Sequence, residues 1–151
     1  METSSVSYLS ARPSRDLVTA AHQQTTREWW ENRRKRFEIF ISRLVRQEAC
    51  DGDAEAVKQR LKVLKNLRWL QFRKDLSSLA AALLDRGPMP SKAADDAVHI
   101  ALAAVHGMHF LLTWNCAHIN NAEMVGEVRE VCEERGFSCP VICTPEELIG
   151  V

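Results

Sequence analysis

The stretch from Ser91 to Asn121 constrains the fold of this chain more than any other part of the sequence. Apolar residues at helical spacing run from Ala94 to His106, Gly107 then stops the helix, and a nearly continuous apolar run follows from Met108 to Trp114. An apolar run of this length after a glycine is typical of a strand that is buried on both faces. The stretch therefore predicts a helix that leads into a buried strand of a parallel sheet.

Short apolar strands and amphipathic helices alternate along the rest of the chain as well. Helices are predicted at residues 17–33, 54–64, 76–86 and 123–135, and strands at 37–41, 67–72 and 139–143. Residues typical of helix ends occur where these helices are predicted to begin and end. They are Asp53 and Asp75 as N-caps, Gly87 and Pro88 as a helix stop, and Thr144 at the start of a capping box. The alternation predicts an α/β fold, a three-layer α/β/α sandwich with a central, mainly parallel sheet, and the length predicts one domain over residues 1–151.

Composition narrows the class of protein. The chain has 20 basic and 20 acidic side chains, so its net charge of zero does not favour wholesale binding to nucleic acid. No apolar run reaches the roughly 18 residues of a membrane span, and we expect a cytoplasmic protein that contacts no membrane. Five cysteines without paired spacing favour reduced, buried thiols over a disulfide framework or a zinc site built from Cys116, His118, Cys139 and Cys143.

Asp96 is the acidic side chain with the most unusual position. On a helix, Asp95, His99 and His106 share one stripe, which we interpret as the solvated face. Asp96 lies instead at the edge of the apolar face, where a carboxylate needs a cation or hydrogen bonds to offset its desolvation. Acceptance of backbone N–H bonds near the start of the helix would also explain the position, and both interpretations stay open.

Polar side chains follow the apolar strand at its carboxyl end. Thr113 and Asn115 lie where open parallel sheets bind ligands, beyond the carboxyl ends of their strands, and His118 and Asn120 are on the next loop. These side chains could contact a substrate, or they could form a strand-end turn and fix the backbone of the loop.

The basic cluster and the tryptophans each allow a functional and a structural interpretation. The run Arg33–Arg36, with Arg43 and Arg46, could bind RNA phosphates or form a solvated helix end. Four tryptophans could stack on bases, although large aromatic side chains more often fill cores and interfaces: Trp29, Trp30, Trp69 and Trp114. We expect the first two to pack against a second copy or a partner protein.

Four short motifs, spread over nearly the whole chain, resemble the PIN-domain family and most closely its VapC-like toxins of bacterial toxin–antitoxin pairs. They are Glu2-Thr3-Ser4 ahead of Ser7-Tyr8-Leu9, Glu48 after Leu44-Val45, DAVHIALA from Asp96, and LLTWN ending at Asn115. The resemblance implies a PIN-like parallel sheet whose carboxyl edge binds Mg²⁺ or Mn²⁺, endonucleolytic cleavage of RNA, an antitoxin partner and a homodimer.

Carried over by position, the resemblance implies a catalytic metal site at four residues: Glu2, Glu48, Asp96 and Asn115. Hard divalent cations prefer oxygen ligands, and Mg²⁺ keeps several waters, so a few such side chains suffice. We expect weaker substrate contacts from Thr113, His99 and His118.

The chain departs from the family pattern in ways that leave alternatives open. The first acid is Glu rather than the commoner Asp, and the neutral Asn115 favours a single cation. Only Met1 precedes Glu2, where the family has an apolar strand, so either the start of the chain is misplaced or the first strand is truncated. A truncated PIN scaffold that binds a partner protein or RNA without cleaving it is the alternative, and cleavage of DNA on the same fold is another.

Overall fold

The computed structural model describes residues 1–87 and 89–150. Over these residues the protein is mixed α/β, with more helix than strand, and its strands are short and parallel. It forms two compact units, one made of Met1–Trp69 with the C-terminal residues from Thr144, the other of Leu70–Cys143. Pro88, half of the predicted helix stop, lies outside the described residues. No helix in the described part is both long enough and apolar enough to cross a bilayer.

The first unit contains four helices and one parallel strand pair among the described residues. The elements are α1 (Thr3–Ser10), α2 (Leu17–Asn32), β1 (Phe40–Ile41), α3 (Arg43–Ala49), α4 (Ala54–Leu64) and β2 (Arg68–Trp69), with 3-10 turns at Arg34–Arg36 and Glu146–Leu148. In the strand pair, Phe40 lies opposite Arg68 and Ile41 opposite Trp69. The core of the unit consists of Val6, Ile41, Val45, Ala49 and Leu64.

Side-chain caps explain where these helices begin. Asp16 accepts a hydrogen bond from the Thr19 amide at 2.8 Å, and Asp53 caps α4 at the predicted residue. Helix α3 was not predicted, and it begins because the Ser42 hydroxyl accepts from the Val45 amide at 3.2 Å. This cap directly follows Ile41, so the predicted strand at 37–41 is shortened to its last two residues.

The N-terminal residues form a helix, which the sequence analysis did not predict. The Met1 backbone nitrogen donates a hydrogen bond to the Phe40 carbonyl at 3.0 Å. That bond attaches the first residue to the edge of β1, and α1 begins two residues later.

The second unit contains three helices and a second parallel strand pair among the described residues. The elements are α5 (Asp75–Asp85), α6 (Ala94–Val105), β3 (Phe110–Leu112), α7 (Val125–Glu134) and β4 (Val141–Cys143), with a 3-10 turn at Ser91–Ala93. In the strand pair, Leu111 lies opposite Ile142. Gly107 ends α6 as predicted, with φ at +61°, a left-handed conformation that glycine adopts without steric cost.

Two predictions about local structure are wrong. Asp75 is the first residue of α5 rather than its cap, and its carboxylate lies 4.0 Å from the Arg73 guanidinium. His99 is only 4% exposed, although the helical angle placed it on a solvated stripe. The angle argument assumed one solvated face, but α6 is buried on nearly all sides from His99 to Val105, so its second half has no such face.

Trp29 does not form the partner surface that the sequence suggested, because its side chain is 2% exposed. Its ring lies 5.8 Å from that of Phe37 and 6.4 Å from that of Trp30, measured between centroids. The Arg34 guanidinium lies 4.5 Å from the centroid of the Trp30 ring. Part of the basic run is therefore used within the unit, in a cation–π contact.

Candidate functional site

Glu2 is held at the N-terminus of α1, where its carboxylate caps the helix. It accepts a hydrogen bond from the Ser4 amide at 2.9 Å and a second from the Ser4 hydroxyl. Glutamate is an unusual N-cap, since shorter side chains are preferred at this position. The carboxylate is 7% exposed, so the first acid of the candidate site is buried and fixed rather than frayed.

Glu48 is the second-to-last residue of α3 and is half-buried. Its Oε2 accepts a hydrogen bond from the Thr3 hydroxyl, which links α3 to the first turn of α1. A carboxylate oxygen of Glu48 lies within 4.8 Å of one of Glu2. The fold of the first unit thus brings together two of the predicted metal ligands that are far apart in the sequence.

Two adjacent carboxylates repel each other unless donors or a cation offset their charge. Here the Ser4 amide, the Ser4 hydroxyl and the Thr3 hydroxyl all donate to the pair. The N-terminal end of α1 adds a favourable dipole beside Glu2. Thr3 and Ser4 were not identified as functional residues from the sequence. The signal that could have found them is the short polar run directly ahead of the apolar residues of α1, which is typical of a helix cap.

In the second unit, Asp96 and Asn115 are in direct contact. Asp96 is in the first turn of α6, and its Oδ1 accepts a hydrogen bond from Asn115 Nδ2 at 2.9 Å. Asn115 Oδ1 accepts from the His118 amide at 3.2 Å. Both contacts agree on the orientation of the amide, because the flipped amide would face a carboxylate with its oxygen. The contact joins the first turn of α6 to the segment that follows β3.

Thr113 and His118 fix the loop that carries Asn115. The Thr113 hydroxyl accepts from the Asn115 amide at 2.9 Å, and the Thr113 amide donates to the Cys143 carbonyl at 2.9 Å. The Thr113 side chain is fully buried, whereas that of His118 is half-exposed. Thr113 therefore forms the strand-end turn that we weighed as the alternative to a substrate contact.

The cysteines do not form a zinc site in the described residues. Cys116 is exposed, Cys143 is buried, and no cysteine belongs to a cluster of three metal-type ligands in this part of the chain. The expectation of buried thiols is met by Cys132 and Cys143 and is wrong for Cys50 and Cys116, which are exposed because no other element covers them.

The Glu2–Glu48 pair fits a small, hard cation in its chemistry and nearly in its spacing. Mg²⁺ binds oxygen at about 2.1 Å, so two ligands on opposite sides of the ion are about 4.2 Å apart. The two carboxylate oxygens lie within 4.8 Å of each other, which is close to this separation. Comparison of the chain with family models, with curated proteins and with solved structures finds no match in any of the three.

Proposed function

We propose that this chain is a metal-dependent endoribonuclease that resembles the PIN domains of VapC-like toxins and has their three-layer sandwich. The observation that supports the proposal most is the Glu2–Glu48 pair, because two buried or half-buried carboxylates within 4.8 Å provide the ligand type that Mg²⁺ or Mn²⁺ requires. The resemblance assigns Asp96 and Asn115 to the same function.

A bound divalent cation would supply Lewis acidity, which stabilises charge on a reacting phosphodiester and lowers the pKa of a coordinated water. Glu2 and Glu48 would bind the cation through their carboxylate oxygens, and hydrogen bonds from the hydroxyls of Thr3 and Ser4 orient these carboxylates. The resemblance makes Asp96, which accepts a hydrogen bond from the Asn115 side-chain amide, a further metal ligand, and a carboxylate would orient or deprotonate the attacking water. The half-exposed His118 remains a proposed substrate contact, whereas His99 is buried.

A cleavage assay on end-labelled RNA tests this proposal. We expect purified protein to cut the RNA with Mg²⁺ or Mn²⁺ and not with EDTA. The variants Glu48→Gln and Asp96→Asn should lower the rate at least a hundredfold, because each removes a charge that the reaction needs while leaving the shape of the side chain unchanged.

The chain offers matched controls for both variants. Asp95→Asn changes the exposed neighbour of Asp96 in the same helical turn, and Glu31→Gln changes an exposed acid on α2. Both controls should cleave at the wild-type rate. Wild-type activity in Glu48→Gln and Asp96→Asn, or no activity in the wild type with either cation, would refute the proposal. A matched DNA strand in the same assay separates ribonuclease from deoxyribonuclease activity.

A non-catalytic scaffold is the second candidate, and one observation favours it. The Glu2 carboxylate caps α1 and the Asn115 amide binds Asp96, so both side chains have structural roles that require no cation. Calorimetric titration with Mn²⁺ distinguishes the two functions. Binding that disappears in Glu48→Gln supports the nuclease, and no binding in the wild type supports the scaffold.

The same resemblance extends to location and partners. We propose a cytoplasmic homodimer that binds an antitoxin protein. Light scattering on the purified chain tests the dimer, since a mass of 17.1 kDa in solution would exclude it.

A further inference from the structure

A groove beside α4 in the first unit is unrelated to the carboxylate pair. It has a volume of about 610 Å³ and is lined by side chains of α3, α4 and β2, among them Arg46, Lys58, Leu61, Lys62, Lys65 and Trp69. Arg46 is two residues before Glu48 on α3, about 200° away around the helix. The α4 groove and the Glu48 carboxylate therefore lie on different sides of α3.

The α4 groove carries a concentrated positive charge. Four of its lining side chains are cationic, none is acidic, and all four cations are exposed. Lys58 has only a weak exposed pairing, at 3.9 Å from Glu55, and Lys62 lies 3.4 Å from the amide oxygen of Gln59. Because the whole chain is neutral, this charge is a local feature that suits a polyanion.

The three lysines form a regular row. Lys58, Lys62 and Lys65 are four and three residues apart, so they share one face of α4 and its C-terminal end. Their backbone positions are about 6 Å and about 4.5 Å apart along the helix axis. Flexible lysine side chains on this spacing can each reach one of the successive phosphates of an extended strand.

An aromatic ring lies in the same groove. Trp69 is partly exposed, and the Arg46 guanidinium lies 5.8 Å from the centroid of its ring. A tryptophan beside a row of cations is the combination with which proteins bind single strands, because the bases stack on the ring while the cations bind the backbone. Val57, Leu61 and the buried Leu64 also line the groove, so aliphatic side chains lie beside the ring and between the cations.

We propose that the α4 groove holds a single RNA strand, with successive phosphates at Lys58, Lys62 and Lys65 and a base stacked on Trp69. The choice of RNA rests on the proposed ribonuclease function. The binding itself requires no cation, so it can be measured when cleavage is absent.

Fluorescence anisotropy with 5′-fluorescein-labelled U12 RNA in EDTA, at several salt concentrations, tests the proposal. Each phosphate contact contributes about 0.7 to the slope of log K against log salt for a single strand. The variant Lys58→Gln/Lys62→Gln/Lys65→Gln should therefore flatten the slope by about 2 and weaken binding at least tenfold near 0.1 M salt. EDTA removes any metal-dependent activity, so failure of the proposed nuclease function leaves this result unchanged.

Two further comparisons separate a strand site from general electrostatics. The control Arg15→Gln/Lys74→Gln/Lys92→Gln removes three exposed cations outside the groove and should change the slope by less than half as much. Trp69→Ala should weaken binding about fivefold or more, and Trp69→Phe should restore part of the loss, because a base can stack on phenylalanine.

Three results would overturn the proposal. They are an unchanged salt slope in the triple lysine variant, equal losses in the groove and control triples, and tighter binding of a labelled amphipathic helix of Glu and Leu than of U12. The last result would assign the groove to an acidic protein partner instead. Circular dichroism of each variant confirms that it is folded as the wild type is.

Discussion

At the scale of single residues, the Cys132 and Cys139 thiols interact in the second unit and shift each other's pKa in opposite directions. The pKa of Cys139 is lowered, chiefly because the Cys132 thiol donates a hydrogen bond to its sulfur; burial opposes this effect, and the nearby Arg129 adds to it. The pKa of Cys132 is raised by the same hydrogen bond and by burial. As the pH rises, Cys139 is therefore the first of these two thiols to form the reactive thiolate.

We predict that Cys139 is alkylated at lower pH in the folded protein than after unfolding in urea. A lowered pKa means that the thiolate is present below the pH at which an ordinary thiol ionises, so the rate rises earlier as pH increases. The measurement is the rate of iodoacetamide labelling of the Cys139 peptide by mass spectrometry across pH.

Cys132→Ala should move this pH profile to higher pH, because it removes the donor. Cys132→Ser should keep most of the shift, since serine also donates a hydrogen bond. Superimposable profiles for the wild type and Cys132→Ala would show that the two sulfurs do not interact.

At the scale of secondary-structure elements, Glu2 has both a structural role and a proposed metal role. We predict that Glu2→Ala lowers the free energy of unfolding by about 1 kcal/mol relative to Glu2→Ser, because serine caps α1 and alanine does not. Both variants relieve the repulsion with Glu48 equally, so their difference isolates the cap. Urea unfolding in EDTA measures it.

The same two variants separate the roles of Glu2 in the cleavage assay. Neither alanine nor serine can replace a carboxylate ligand, so both should lose activity if Glu2 binds the cation. Full activity in Glu2→Ser would assign Glu2 to the helix cap alone and leave Glu48 and Asp96 as the ligands.

Replacing each of two glycines by alanine should change the free energy of unfolding in opposite directions. Gly107 has φ at +61° and nothing within 4 Å of an added Cβ, so Gly107→Ala costs about 1 kcal/mol from the backbone alone. Gly126 lies in the first turn of α7 with equally open space, and Gly126→Ala should stabilise by about 0.5 kcal/mol because alanine restricts the unfolded chain. Urea unfolding of both variants checks the signs, and a stabilising Gly107→Ala would contradict the left-handed conformation.

At the scale of the whole molecule, a bound cation should raise stability by mass action. A ligand that binds only the folded state stabilises it by about 2.7 kcal/mol when its concentration is 100 times Kd. We predict a Mn²⁺-dependent rise in the free energy of unfolding for the wild type and for Glu31→Gln, and little or none for Glu48→Gln. Equal rises in Glu48→Gln and the wild type would place the binding of Mn²⁺ elsewhere.

Local patterns in the sequence predict most of the helices correctly. Asp53 as a cap, Gly107 as a stop and the capping box of Thr144 with Glu147 all occur as predicted, because these signals act over three or four residues. The strands were longer in the prediction than in the structure. Strand length depends on a pairing partner, and the partners here are 28 and 31 residues away.

Periodicity and local capping predict most of the helices, including the start of α4 at the Asp53 cap and the end of α6 at Gly107, and they predict the alternation of helices with parallel strands. Local patterns could not predict that Thr3 donates to Glu48 across 45 residues, that His99 is buried or that Trp29 packs on Phe37. Burial and long-range contacts depend on which surfaces the other elements cover. A periodic pattern describes one element, whereas its surroundings come from the whole fold.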